Sequence, residues 1–172
     1  MTLESLTQAT GEWLKGTGPE SDIVMSSRVR LARNLAQFPF VGRATEQDRA
    51  EIERFLRERI ATAPVGQSLE YIDVGRLEEI DRQFLVERQL ISREHAEAQG
   101  ARSVAIDRLE QVSLMINEED HLRIQCMHSG LDLKGVWEQI RVVDDQVGRV
   151  VPYAFHERWG YLTACPTNVG TG

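Results

Sequence analysis

The chain has 172 residues, 41% of them hydrophobic and 27% charged, which is enough for one domain with a real core and too little for two. Its net charge of −7 argues against a protein whose main work is coating nucleic acid, because such binding neutralises phosphates with a basic surface. No apolar run is long enough to cross a bilayer and no basic-then-apolar amino terminus reads as an export signal, so a cytoplasmic protein without membrane or nucleic-acid partners is expected.

In chain order, "LESLTQATGEWLKG" predicts a short helix with Leu3, Leu6, Trp13 and Leu14 on its apolar side, ended by Gly16. "SDIVMSSRVRLA" (21–32) reads as extended. From Thr45 the pattern becomes helical: Thr45 is the N-cap, Asp48 sits in the reciprocal capping position, and Ile52, Phe55, Leu56 and Ile60 recur at helical spacing. "LEYIDV" (69–74) predicts a strand, and residues 76–91 predict a second amphipathic helix through Leu77, Ile80, Phe84 and Leu85. "SVAID" (103–107) and "QVSLMIN" (111–117) are close enough for a hairpin, and "HLRIQCM" resumes the extended pattern after an acidic turn or bulge, "NEED", expected at the sheet's edge. Residues 131–147 predict a third helix with Leu133, Val136, Trp137, Ile140 and Val143 on one side, and "WGYLTAC" a late strand. Strands that follow one another closely, with helices grouped elsewhere, predict an α+β fold with a mainly antiparallel sheet. No linker or repeat divides it, so residues 1–172 are read as a single domain.

Cys126 and Cys165 stand far apart and in no metal-ligand spacing, so free thiols are expected and no metal site is assigned. Three stretches carry chemistry. In "SSRVRLARN" the two-residue alternation of a strand puts Arg28 and Arg30 on one face and Val29 and Leu31 on the other. Two forked guanidinium groups aimed at one place suit a phosphate, although a solvated edge strand explains the same pattern. "INEEDHLRIQ" crowds Glu118, Glu119, Asp120, His121 and Arg123 together, and would set a carboxylate that can work as a general base beside a cation; an exposed acidic loop is the bland alternative. "CPTNVGTG" joins Cys165 to a glycine loop, which alone is a weak phosphate signal beside a structural cysteine.

Taken together, "SSRVRLARN", "NEEDHLRIQ" and "GYLTACPTNVGTG" resemble the ATP:guanido phosphotransferases, the family of creatine and arginine kinases, and most closely its bacterial protein-arginine kinases. The resemblance runs from about Trp13 to the last residue. It implies phosphoryl transfer from ATP, with Mg²⁺ carried on the nucleotide, to the guanidinium of arginine residues in proteins, marking them for regulated proteolysis. By position it implies that Ser26, Ser27, Arg28, Val29 and Arg30 grip the phosphates with Arg123 beside them, that Glu119 is the catalytic carboxylate, and that Cys165 lies against the acceptor guanidinium. An activator protein and Clp-type protease machinery are the implied partners.

Departures are specific. Gln89 stands where the bacterial branch usually has histidine, Arg93 where proline is common, and relatives continue past the position of Gly172 with a further arginine-containing segment. The chain is therefore expected to be the front portion of a longer catalytic domain, whose activity on its own is open. Two other readings remain: a kinase for free arginine or a related small molecule, and a non-catalytic nucleotide- or phosphoarginine-binding module. Small-molecule kinases of the family carry a sizeable helical domain before the "SSRVR" equivalent, whereas 25 residues precede Ser26 here, which favours an arginine displayed on a protein.

Overall fold

The structure is a computed structural model that describes residues 10–169. Side chains alternate between two faces along β1 (Ser26–Arg33), β2 (Leu69–Asp73), β3 (Ser103–Asp107), β4 (Val112–Ile116) and β5 (Leu122–Ser129). These strands form one antiparallel sheet in the order β1-β5-β4-β3-β2, as the α+β reading requires. The helices are α1 (Glu46–Thr62), α2 (Glu79–Glu87), α3 (Arg93–Glu97) and α4 (Leu133–Gly148).

One face of the sheet is covered throughout. Leu31, Ala105, Leu114, Leu122, Ile124 and Cys126 meet Ile52, Leu56 and Ile60 of α1 and Val136, Ile140, Val143 and Val147 of α4. Each Leu, Ile or Val side chain so taken out of water contributes roughly 1.5–3 kcal/mol. Burial also pushes the Cys126 thiol up to about 12, so it stays protonated and serves as a small apolar side chain.

The opposite face is covered over only part of its width. Val104, Ile106 and Met115 pack with Leu85, Leu90, Ile91 and Ala96, which belong to α2, α3 and the link between them. On β1 and β5, by contrast, the residues on this face are Arg28, Arg30, Arg123, Gln125 and Met127. Among the described residues no helix packs on this cationic part of the face; Gln125 and Met127 are nonetheless buried, Gln125 bonded to the Gln89 carbonyl and β5 in contact with the Glu12–Leu14 turn, while Arg28 and Arg30 remain exposed.

Several elements differ from expectation. The opening helix falls largely on residues 1–9, outside the described residues; its remainder is a single 3-10 turn, Glu12–Leu14, with Trp13 buried. The helix expected over 76–91 is shorter. The Asp73 carboxylate accepts from the Gly75 N–H at 3.0 Å and holds a 3-10 turn at Val74–Arg76, and the helix then closes through Gln89, whose φ of 58° is left-handed. The Leu90 N–H reaches back to the Leu85 carbonyl at 3.0 Å, a closure usually built on glycine. A further short helix, α3, follows; Ser92 is its N-cap, and the Ser92 hydroxyl accepts from the His95 N–H at 3.0 Å.

In α4 the buried stripe is Val136, Ile140, Val143 and Val147, while Leu133 and Trp137 are 57% and 51% exposed. Trp137 is one residue, about 100°, around the helix from Val136 and so misses the sheet. "WGYLTAC" is not a full strand. Only Gly160–Tyr161 (β7) pairs, with Phe155–His156 (β6), because the Leu162 carbonyl is taken by the Asn34 side chain at 3.1 Å. α1 matches expectation: the Asp48 N–H donates to Thr45 Oγ1 at 3.1 Å and the Thr45 N–H to Asp48 Oδ2 at 2.8 Å.

Two histidines are fully buried. Burial, then the charge of Arg102, holds the His95 imidazole down at about 4, and burial also lowers His121. A group held neutral in the fold costs stability once the unfolded chain takes up its proton. Stability is therefore complete above the unfolded value of about 6.5 and falls as pH drops from there toward the folded value. At pH 5 the His95 contribution is a loss of about 2 kcal/mol. Urea unfolding at pH 7.5 and pH 5 should show this loss in the wild type and less of it in His95→Leu; equal pH dependence in the two proteins contradicts the assignment.

Candidate active site

The open part of the sheet forms the floor of a cleft. The β1–β5 register sets Arg28 opposite Met127, Arg30 opposite Gln125 and Ala32 opposite Arg123. Alternation divides the segment carried over from the family. Ser26, Arg28 and Arg30 lie on the cleft side; Ser27 and Val29 face away. The Ser27 hydroxyl donates to the Gly130 carbonyl at 2.8 Å and accepts from the Asp132 N–H at 2.9 Å, and Val29 packs on the core.

A cavity of about 140 Å³ is lined by Arg28, Arg30, Gln89, Ser92, Arg93 and Gln125. Beyond Arg28 and Gln89 lies a recess of about 410 Å³ bordered by Trp13, Met25, Ser26 and Met127. The indole N–H of Trp13 is buried with no hydrogen-bond partner among the described residues. Gln89 joins the two spaces. Its Oε1 accepts from Arg28 Nη1 at 3.1 Å and its backbone carbonyl from Gln125 Nε2 at 2.6 Å.

Neither Arg28 nor Arg30 has a carboxylate partner among the described residues. Burial and the neighbouring charge of Arg30 lower the affinity of the Arg28 guanidinium for its proton. Two neighbouring cations without a counter-charge in a partly enclosed space, one of them held by Gln89, fit a polyphosphate, which supplies what the protein lacks there. Among the described residues no group of three or more His, Cys, Asp and Glu side chains is placed to hold a metal ion.

The acidic turn lies at an end of the sheet, between the interior strands β4 and β5, and not at the edge expected from sequence. Asn117 takes the left-handed conformation, φ 60°, and its N–H closes the turn on the His121 carbonyl at 3.0 Å. Its three carboxylates then diverge. Glu118 points inward, Asp120 is fully buried, and the Glu119 side chain is 47% exposed. Arg123 bridges the first two, with Nη1 on Glu118 at 3.0 Å and Nη2 on Glu119 Oε2 at 3.1 Å. Glu119 Oε1 has no partner among the described residues.

His121 does not join this group. The Leu35 N–H donates to its Nδ1 at 2.9 Å, so the ring proton belongs to Nε2 and goes to the Pro39 carbonyl at 2.8 Å.

Asp120 brings in the third motif. Its Oδ1 accepts from the Asn34 amide at 2.5 Å and from the Ala164 N–H at 2.6 Å. The Asn34 Oδ1 in turn accepts from the His121 N–H at 3.0 Å. The residue before Cys165 is thereby fastened to the residue after Glu119. Cys165 is a half-buried free thiol whose Sγ lies 2.9 Å from the Thr167 hydroxyl; the glycine loop after it reaches residues 170–172, outside those described.

Sequence reasoning singled out Gln89 only as a departure and passed over Asn34, Ser92, Glu118 and Gln125 as site residues. The sign of Asn34 was the polar residue ending an otherwise alternating strand.

The profile of "ATP:guanido phosphotransferase, C-terminal catalytic domain" matches residues 51–172, which leaves out Arg28 and Arg30. Curated relatives match over nearly the whole chain. A "Protein-arginine kinase" of Halothermothrix orenii is 47% identical over 161 residues, 93% of this chain and 46% of its own length. One of Symbiobacterium thermophilum is 44% identical over 98% of this chain and 49% of its own. The chain spans about half the length of the curated relatives it matches. Among solved structures, the substrate-free duplicated taurocyamine kinase of Schistosoma mansoni superposes with a TM-score of 0.79 at 25% identity, over 99% of this chain and 25% of that one. A lombricine kinase at 24% identity, with a TM-score of 0.75 over 99% of this chain and 50% of its own, shows the same fold.

Asn34→Ala removes the buried partner of both Asp120 and the His121 N–H, and should lower unfolding free energy by about 3 kcal/mol. Denaturant titration checks this, and a loss below about 1 kcal/mol contradicts the assigned network.

Proposed function

The chain belongs to the ATP:guanido phosphotransferase family, and from that premise we propose that it forms part of a protein-arginine kinase, transferring the γ-phosphoryl group of ATP to the guanidinium of arginine residues in proteins. The observation that carries the reading is a half-exposed carboxylate, Glu119, bonded to Arg123 on the sheet face that also carries Arg28 and Arg30, two cations without a carboxylate partner among the described residues. The bacterial relatives named protein-arginine kinase agree with it.

An arginine side chain keeps its proton to a pKa above about 12 and is a poor nucleophile at neutral pH. Glu119 pairs with it, aligns one nitrogen toward the phosphorus and receives the proton as the N–P bond forms and the bond to the ADP oxygen breaks. Negative charge spreads over the equatorial oxygens of the migrating group, and in this reading Arg28, Arg30 and Arg123 meet it; Gln89 holds Arg28, and Glu118 and Glu119 hold Arg123. Mg²⁺, arriving on the nucleotide, neutralises further phosphate charge. Ser26 and Gln89 border the same space, and Gln89, which stands where the bacterial branch usually has histidine, holds Arg28. The recess beside Trp13, Met25 and Met127 offers apolar surface to the base. Ser27 and Val29 contribute through backbone alone. Cys165 supplies a second contact to the acceptor guanidinium in this reading.

Arginine-bearing proteins are the substrates in this reading, and the modification marks them for regulated proteolysis in the cytoplasm. An activator protein and Clp-type protease machinery complete the proposed partners.

Intact-mass analysis of an arginine-rich test protein and of free arginine, after incubation with Mg-ATP, tests the reading. An acid-labile phosphoryl adduct on the protein alone is expected; an adduct on free arginine alone makes it a small-molecule kinase, and none on either leaves only binding. Glu119→Gln should abolish transfer while Mg-ATP affinity, measured by calorimetry, changes less than about threefold; unchanged turnover removes Glu119 from the mechanism. ATP should also alter Trp fluorescence in the wild type and in proteins lacking Trp137 or Trp159, but not in Trp13→Phe.

A further inference from the structure

Glu118 is the carboxylate of the acidic turn that the proposed reaction does not use, and it is the one with the most complete set of partners. Its Oε2 accepts from the N–H of Glu119 at 2.8 Å. Its Oε1 accepts from Arg123 Nη1 at 3.0 Å and from the Ser92 hydroxyl at 2.8 Å. The side chain is 3% exposed. A buried carboxylate is tolerated when its oxygens are satisfied and a cation sits against it, and both conditions hold.

These partners belong to different parts of the site. The Glu119 N–H belongs to the backbone of the carboxylate assigned to the acceptor. Arg123 is assigned to the phosphates. Ser92 starts α3 and lines the cavity opposite β1. Its hydroxyl donates to Glu118 while accepting from the His95 N–H, so the helix start and the turn are joined through one oxygen.

We propose that Glu118 is the positioning residue of the site: by dividing its two oxygens between the Glu119 backbone and the Arg123–Ser92 pair, it fixes the distance between acceptor carboxylate and phosphate clamp. It touches neither substrate. The inference rests on the function proposed above but is read out separately from it.

Glu118→Gln is the informative substitution, because it keeps shape and volume. One amide oxygen can still accept from Arg123 and Ser92, but the amide NH₂ then faces the Glu119 N–H, donor against donor. In the full chain, amide exchange at Glu119 should accelerate about tenfold or more, the equivalent of one hydrogen bond to a charged acceptor. kcat for transfer should fall about 100-fold, as expected when reacting groups are displaced by an ångström, while Mg-ATP affinity changes less than about threefold. Ser92→Ala, which leaves the Glu119 N–H bond intact, should lower kcat by only about three- to tenfold and leave amide exchange at Glu119 unchanged. It serves as the second variant should Glu118→Gln fold poorly.

Unchanged kcat in Glu118→Gln, or a fall in kcat matched by an equal fall in ATP affinity with Glu119 exchange unaltered, overturns the proposal. If the wild-type chain transfers no phosphoryl group, the proposed activity fails for this chain. The exchange rate at Glu119 then decides alone: acceleration in Glu118→Gln upholds the positioning role, and an unchanged rate ends it.

Discussion

The working end of the molecule depends on one buried contact, the Asn34 amide against the Asp120 carboxylate at 2.5 Å. Asn34 comes directly after β1, and its side chain donates to Asp120 and to the Leu162 carbonyl while accepting from the His121 N–H. Its backbone carbonyl accepts from the Ala154 N–H. Asp120 adds the Ala164 N–H. Three chain segments far apart in sequence, the end of β1, the β4–β5 turn and the approach to Cys165, are thus held by two side chains. Inside a low-dielectric interior such bonds are strong when made and costly when broken, which is why a short polar network can fix the site's geometry better than apolar packing, which has no direction.

The second constraint is the uneven cover on the sheet. Strand alternation gives every strand two faces, and apolar side chains on both faces of β3 and β4 call for helices on both sides. On β1 and β5 the second face carries Arg28, Arg30 and Arg123 beside buried Gln125 and Met127, and the helices of that layer stop short of it. The local positive charge persists in a chain of net charge −7 because the acidic residues that would neutralise Arg28 and Arg30 lie elsewhere. An acidic body with a basic cleft disfavours indiscriminate attachment to polyanions and keeps attraction for phosphate confined to one place.

Local patterns were legible where a local rule decides the outcome. The capping box of Thr45 and Asp48, the β3–β4 hairpin and the shared face of Arg28 and Arg30 each come from spacing alone. What stayed hidden was decided by distant partners. The helix after residue 76 stops at Gln89 through a left-handed turn that no glycine announces, and Gln89 is held there by Gln125 from another strand. "WGYLTAC" has strand-like composition, yet Asn34 takes a carbonyl that a ladder would need. Spacing in the acidic turn does not distinguish the roles of its three carboxylates; Ser92, Arg123 and Asn34, two of them outside the motif, give those carboxylates three different environments.

The contrast between the two cysteines has a practical side. Cys126 lies in the sheet core with no exposed surface and a thiol held protonated, out of reach of reagents that need a thiolate. Cys165 is partly open to solvent beside the Thr167 hydroxyl. Toward alkylating reagents the folded chain therefore behaves as though it had a single sulfhydryl. A spectroscopic label attached through it would sit one residue from the amide bonded to Asp120, and would report on the acidic turn without any engineered attachment point.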